Sequence, residues 1–282
     1  MSRDRDRGKP ARPHPSRGPH AASGPDKSSA PFRARREHSE RPPSDIAQIY
    51  GFHSVEAALN APRREFVRLF ATAAAAERLG PAIAACGIKT QIVNADEIAG
   101  RLPRQAVHQG VLLETRPLAS IDLSDLPAAG LILVLDQVTD PHNVGAILRT
   151  AAAFGVEAVV TTERHSPEMS GLVAKTASGG LEFVPIAFVT NLARALKEIG
   201  DMGYLRVGLD SEAPAALAEV ALARPLALVL GAEHKGLRRL TRENCDALAR
   251  LDLPGPIKSL NVSTACAVAL TLVRLRLDAK SP

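Results

Sequence analysis

From Leu131 onward the chain repeats one pattern: a short apolar run without polar alternation, then a longer amphipathic stretch. The runs are "LILVLD", "EAVVTT", "LEFVPIAF", "YLRVGLD" and "LALVLG". A strand that is apolar on both faces must be covered on both faces, and helices between such strands make parallel connections. The expected fold class is therefore α/β with a mostly parallel sheet. Open sheets of this kind gather ligands at the carboxyl ends of their strands. Those ends are where a site is to be sought.

A smaller α/β unit precedes this pattern. Order is expected to begin near "IAQIYGFHSVEAALN", with Ser54 as an N-cap and Pro62 as the stop. "EFVRLFAT" reads as a strand, an Ala-rich helix runs to about Cys86, and "IKTQIV" reads as a second strand. "HQGVLLETRPL" adds a third, starting at Gly110 and ending at Pro117. The softer "ASIDLSDLPAAG" has the composition of a linker. The scheme is a tail over 1–45, a small α/β unit over 46–117, a linker over 118–129 and a larger domain over 130–282.

The charge is placed unevenly. Residues 1–45 hold 11 Lys/Arg against 6 Asp/Glu, so the chain's entire net charge of +5 lies there and the rest is neutral. Eight of the 21 prolines share this segment with very few large apolar side chains. Such a segment cannot bury enough surface to offset its chain entropy and is expected to be disordered. A basic arm suits a polyanion such as RNA, and the plainer reading is a solubilising extension. The early acids Asp4 and Asp6, with the prolines, spoil the amphipathic helix of a transit peptide.

Three scattered cysteines (Cys86, Cys245, Cys266) without CxxC spacing argue for a reducing compartment and against a disulfide framework or zinc. The longest apolar stretch, 265–273, is too short to span a bilayer. The expectation is a cytoplasmic protein with no metal and no membrane partner.

Three strand ends carry unusual side chains. In "LDQVTDPHNVGAILRTAAAFG", Asp140 and Pro141 suit an N-cap and first helical position, and Val144, Ile147, Leu148 and Ala151 form one apolar stripe. Asn143 and Arg149 fall off that stripe. Singly they read as a capping amide and a solvated cation; together at a helix head they can hold an anionic group. In "VLGAEHKGL", Gly231 and Gly236 bracket Glu233, His234 and Lys235. The spacing is neither a P-loop nor a GxGxxG fingerprint, so a nucleotide-dependent enzyme of those kinds is unsupported. Gly231 is expected to let a ligand approach the backbone. In "LDLPGPIKSLNVSTAC", Ser259, Asn261, Ser263 and Thr264 precede a helix over 262–273 that is apolar nearly all round. One hydroxyl or amide suffices for capping, so the surplus points to a site, and the all-round apolarity to a core or subunit interface.

These three segments, in this order, resemble the three motifs of the SpoU (TrmH) family of RNA ribose 2'-O-methyltransferases, in the SPOUT superfamily. That family shows N-x(5)-R within "DPxNxGAIxRTAxAFG", then "LGxEGxG", then "IPMxGxxxSLNVS". Here they stand as Asn143 to Arg149, "LGAEHKG" and "LDLPGPIKSLNVS". "IYGFHSVEAALN" and "VHQGVLL" further resemble the small RNA-binding domain of the rRNA-modifying branch. The resemblance covers about residues 48–277.

It implies a C-terminal domain with a deep trefoil knot, a homodimer, and S-adenosylmethionine as cofactor. By motif position the cofactor contacts fall at Gly231, Leu251 and Leu260. The catalytic set falls at Arg149, Asn143, Glu233, Ser259 and Asn261. The implied reaction is 2'-O-methylation of a guanosine ribose in 23S rRNA. Alternatives are tRNA as substrate, another rRNA nucleotide, or a non-catalytic RNA-binding assembly factor. In the family the counterpart of Arg149 is assigned to activating the ribose hydroxyl. A guanidinium holds its proton tightly, so holding the adjacent phosphate and stabilising the developing oxyanion is the physically preferred role, with a base role open. Two departures stand out: His234 replaces the second residue of "EG", and Asp252 replaces the proline of "IPM". His108 in "VHQG" reads as structural or RNA-contacting. With two Tyr, seven Phe and no Trp, recognition by shape and phosphates fits better than stacking on aromatic platforms.

Deleting residues 1–45 is expected to weaken RNA affinity at low salt while leaving the thermal midpoint of the folded body unchanged. Filter binding across a salt series checks this, and unchanged affinity would reduce the segment to a solubiliser.

Overall fold

The computed structural model describes residues 45–279 apart from 234. The expectations for the basic tail and for His234 lie outside the described residues. In chain order the elements are β1 (Ala47–Tyr50), α1 (Phe52–Leu59), β2 (Phe66–Ala71), α2 (Ala73–Arg78), α3 (Gly80–Cys86), β3 (Thr90–Ile92), α4 (Ala95–Ala99) and β4 (Val111–Thr115). There follow β5 (Leu131–Asp136), α5 (Pro141–Ala153), β6 (Ala158–Thr162), α6 (Gly171–Ala177), α7 (Gly180–Phe183), β7 (Ile186–Val189) and α8 (Leu192–Asp201). The last are β8 (Leu205–Leu209), β9 (Ala215–Ala216), β10 (Leu226–Gly231), α9 (Arg239–Glu243), β11 (Ala247–Arg250) and α10 (Val262–Asp278).

The larger sheet has seven strands in the order β7-β6-β5-β10-β8-β11-β9, and every pairing in it is parallel. The α/β, parallel-sheet expectation holds for a physical reason visible in β5: all six of its residues are buried, Asp136 included. Strand β10 enters between β5 and β8, although β8 precedes it in the chain. This places the carboxyl ends of β5 and β10 side by side, with Gly231 opposite Asp136. The smaller sheet has the order β1-β4-β2-β3.

Local expectations hold or fail for identifiable reasons. Asp140 caps α5 by accepting from the His142 backbone N–H, and Pro141 takes the first turn. Ser54 does not cap α1; Gly51 holds that position, and the Ser54 Oγ instead donates to the Ala174 carbonyl at 3.1 Å. The Ala-rich helix is broken in two around Leu79–Gly80, with Pro81 opening the second half. "LEF" of the expected strand "LEFVPIAF" is the short helix α7, and pairing starts only at Ile186. The strands β9 and β11 and the helix α4 were not anticipated. The segment read as a linker lies against the sheet edge: the Ile121 N–H donates to the Ile186 carbonyl and Leu126 is buried.

The two sheets do not have separate interiors. One apolar cluster runs from Ile49, Val55 and Leu69 through Val144, Leu148 and Leu181 to Leu133, Leu230 and Leu270. Across the same junction, Arg64 makes a forked pair with Glu182, Nε to Oε2 at 2.7 Å and Nη2 to Oε1 at 2.8 Å. The two side chains are only 0% and 2% exposed, so water does not share in the interaction. Arg64 Nη1 adds bonds to Thr115 Oγ1 and the Arg116 carbonyl, both at 3.4 Å.

Removing one member of such a pair leaves a charge buried without a partner, which costs about 3–5 kcal/mol, whereas replacing both with apolar groups is often neutral. Arg64→Met is expected to lower unfolding free energy by about that amount, and Arg64→Met/Glu182→Leu to recover most of it. Urea denaturation of the three proteins checks this.

Candidate active site

The carboxyl ends of β5 and β10 and the head of α10 come together at one point. The Asn143 amide donates to Glu233 Oε1 at 2.9 Å and to Asp140 Oδ2 at 3.2 Å. Asn261 Nδ2 donates to the same Glu233 Oε1 at 2.5 Å and to Asn143 Oδ1 at 2.9 Å. Three segments separated by 90 and 28 residues thus meet on one carboxylate oxygen. The expectation that Asn143 sits off the buried stripe fails: it is 6% exposed, because Glu233 and Asn261 cover it.

Asn261 also settles the capping question. Its Oδ1 accepts from the backbone N–H groups of Ser263 and Thr264 at 2.9 and 3.3 Å, and from Ser263 Oγ at 2.6 Å. The oxygen caps α10 while the nitrogen faces the site. The side chain therefore does more than cap: its nitrogen joins Asn143 and Glu233. The helix continues to Asp278, beyond the expected end, burying Val262, Cys266, Ala269, Leu270, Val273 and Leu277 along one face. Burial pushes the Cys266 thiol up to about 12, which makes it an inert core residue.

Beside this cluster lies a cavity of about 310 Å³. Gly231, Leu251, Leu260, Glu233 and Ser259 all line it, together with the apolar Leu230 and Leu253 and the charged Asp210 and Arg242. It opens at the ends of β8, β10 and β11, where a parallel sheet gathers its ligands. Polar and apolar groups share this wall about equally, with Lys235 and Lys258 among the charged ones, so it suits a small molecule with both kinds of surface. The reason for glycine at 231 differs from expectation. A Cβ there would fall 2.2 Å from the Gly236 carbonyl carbon and 2.5 Å from Leu237 N, so the backbone that approaches closely is the chain's own returning loop.

That return is held by residues that sequence reasoning missed. Asp136, fully buried at the end of β5, accepts from Arg238 N at 2.9 Å and Arg238 Nε at 2.6 Å. Asp210 pairs with Arg242 at 3.0 Å, and Arg242 Nε reaches the Leu237 carbonyl. A charged residue closing an otherwise apolar strand was the available signal for Asp136; its partner lies 102 residues away. Arg149 stands apart: it is exposed on α5, lines no part of the cavity, and makes no hydrogen bond or ion pair with the described residues. Asp252 is exposed and pairs with Arg250 at 3.1 Å. His108 Nδ1 accepts from the Gly110 N–H, a turn contact. Among the described residues, no group of three or more His, Cys, Asp or Glu is placed to hold a metal ion.

The SpoU rRNA methylase family matches residues 130–271, and the RNA 2'-O ribose methyltransferase substrate-binding family matches 48–120. The chain is 40% identical over 232 residues to the 23S rRNA (guanosine-2'-O-)-methyltransferase RlmB of Yersinia pestis, covering 79% of this chain and 94% of the relative. It is likewise 40% identical to the RlmB of Pseudomonas aeruginosa, over 80% and 95% of the two chains. Among solved structures, an RNA 2'-O ribose methyltransferase superposes with a TM-score of 0.71 at 24% identity, covering 83% of this chain and 90% of the other. The SpoU methyltransferase AviRb of Streptomyces viridochromogenes, solved with AdoMet, superposes at 0.70 and 19% identity over 82% and 91%. The chain belongs to the SpoU rRNA methylase family.

Asn261→Asp separates the two duties of that side chain. Asp caps as well as Asn, but it removes both amide donors and sets a second carboxylate against Glu233. The variant is expected to lose about 1–3 kcal/mol at neutral pH despite an intact cap. A denaturation midpoint equal to wild type would reduce Asn261 to a cap.

Proposed function

We propose that this protein transfers a methyl group from S-adenosylmethionine to the ribose 2'-oxygen of a guanosine in 23S rRNA. The observation that carries the reading is the meeting of Asn143, Glu233 and Asn261 on one carboxylate oxygen beside the cavity lined by Gly231, Leu251 and Leu260. The relatives named for this activity align over nearly their whole length, which supports the substrate. S-adenosylmethionine supplies a methyl on a positively charged sulfur, ready for nucleophilic attack.

Gly231, Leu251 and Leu260 hold the cofactor, with Leu230 and Leu253 excluding water from its apolar parts. Glu233, fixed by two amides, keeps one carboxylate oxygen free to orient a hydroxyl at the cavity mouth, and Ser259 borders the same space. Asn143 and Asn261 hold Glu233 and do not need to reach the substrate. Arg149, exposed and without a protein partner, is available to hold the phosphate next to the target ribose. From there it stabilises charge developing on the 2'-oxygen. A guanidinium is a poor proton acceptor, so the hydroxyl proton leaves to phosphate or water.

In this reading 46–117 is the RNA-binding unit, 118–129 connects it, and 130–282 is the catalytic domain. The deep trefoil knot belongs to the same reading: β10 inserts beside β5, and Gly231, Glu233, Gly236, Leu251, Ser259 and Leu260 border one cavity. So does the homodimer. Helix α10 turns Val268 (37% exposed) and Leu275 (65% exposed) outward, an apolar stripe suited to a second copy. The cytoplasm, where RNA and reduced thiols are found, is its place of action. No helix among the described residues is long and apolar enough to cross a membrane.

The test is transfer of labelled methyl to unmodified 23S rRNA and to bulk tRNA, followed by mapping of the modified ribose. Label on one 23S guanosine is expected. Label on tRNA alone would keep the chemistry and overturn the substrate; no label with RNA still bound would favour an assembly factor. Arg149→Ala is expected to lower transfer by about 10²–10³-fold, as loss of an oxyanion partner does, with cofactor affinity by calorimetry unchanged.

A further inference from the structure

Four contacts tie the smaller sheet and its helices to one short stretch, residues 174–182. Ser54 Oγ donates to the Ala174 carbonyl, and Lys175 Nζ donates to the Val107 carbonyl at 2.7 Å. A Cβ on Gly179 would lie 2.7 Å from the Ala57 Cβ, so α1 rests directly on that turn. Glu182 receives the buried fork of Arg64. The other side of the same stretch rests on α5. A Cβ on Gly180 would lie 2.6 Å from the Leu148 carbonyl oxygen and 2.9 Å from both N and Cα of Arg149. The helix α7 therefore touches the backbone of Arg149 at its first residue and carries the buried charge for Arg64 at its third.

We infer that Arg64 and Glu182 are positioning residues that fix the offset between the RNA-binding unit and the ribose presented to Arg149, and so help to select the nucleotide that is methylated. This rests on the functional reading above. Apolar packing alone permits two faces to slide, because it has little directionality. A two-pronged guanidinium–carboxylate pair has one geometry, and burial removes the water that would let it rearrange. Neither residue lines the cavity or belongs to the hydrogen-bonded cluster, so an effect on reaction passes through placement.

The variants are Glu182→Gln and the apolar pair Arg64→Met/Glu182→Leu, the second chosen to stay folded. Each is assayed on a long structured 23S rRNA fragment that reaches both units and on a short hairpin holding only the target nucleotide and its flanking pairs. On the long fragment KM is expected to rise at least about tenfold, with label spreading to neighbouring riboses, since small misplacements cost this much or more. On the hairpin, kcat and KM are expected to stay within about twofold of wild type. Equal losses on both RNAs would mean damage at Arg149 itself, and wild-type kinetics on both would mean no positioning role; either overturns the inference. Amide hydrogen exchange gives a readout independent of substrate. Faster exchange over Phe52–Leu59 and Gly180–Phe183, with β5 and β10 unchanged, is expected in the apolar pair, and unchanged exchange there overturns the inference. If wild type methylates no 23S rRNA while the exchange result holds, the functional reading fails and the coupling stands.

Discussion

One carboxylate oxygen, Glu233 Oε1, joins three distant segments of this chain at the surface beside the cavity. It accepts from Asn143 on α5 and from Asn261 at the head of α10, and Glu233 itself sits in the loop that leaves β10. Each amide is further committed: Asn143 to the α5 cap Asp140, Asn261 to the first turn of α10. The network runs from one helix terminus to the other through a single acceptor. Such networks are strong when every member is satisfied and costly when one is missing. Asn143 is the buried member of this network, and Glu233 and Asn261 close over it at the surface.

The loop 232–238 needs this support because it doubles back tightly. Gly231 lies so close to Gly236 that no side chain fits between them. Asp136 then holds Arg238 by both main chain and side chain, closing the turn. An ionised Asp without hydrogen bonds would be untenable where Asp136 is buried, so the loop and the carboxylate stabilise one another. The stretch 174–182 plays a comparable part on the other face, packing against α5 and the smaller sheet together. The Glu233 cluster and the stretch 174–182 therefore both meet α5, the helix that bears Asn143 and Arg149.

What the sequence disclosed depended on the range of the interaction. The strands β5, β6 and β10 were legible because burial on both faces leaves an almost unbroken apolar run, whereas β8 carries Arg206 and buries only Val207 and Gly208. The cap at Asp140 was legible because cap and helix are adjacent in the chain. Ser54 was misread because its partner is 120 residues away and looks like nothing in the local pattern. Asn143 reads singly as a capping amide because helical periodicity places it off the apolar stripe, and only the folded chain brings Glu233 and Asn261 over it. The helix α7 was read as strand because Leu181 is buried like any strand residue. The left-handed conformations of Ser178 and Gly179 just before it turn the chain there. Motif spacing located the cluster and the cavity walls, while the ion pairs Arg64–Glu182 and Asp136–Arg238 lie outside every motif.

The charge distribution divides recognition into two parts with different physics. The excess positive charge lies in the first 45 residues, and the rest of the chain is neutral. Affinity carried by such a basic segment arises from released counterions and falls steeply with salt, with a slope of about −0.7 to −0.9 per phosphate neutralised. The folded body, neutral overall, leaves Arg149 exposed on α5 and sets Lys235, Arg242 and Lys258 in the cavity wall. Choice of nucleotide should therefore depend little on ionic strength even where affinity depends on it strongly. Changing such a tail would alter the salt-dependent part of any affinity for a polyanion and leave the neutral folded body as it is.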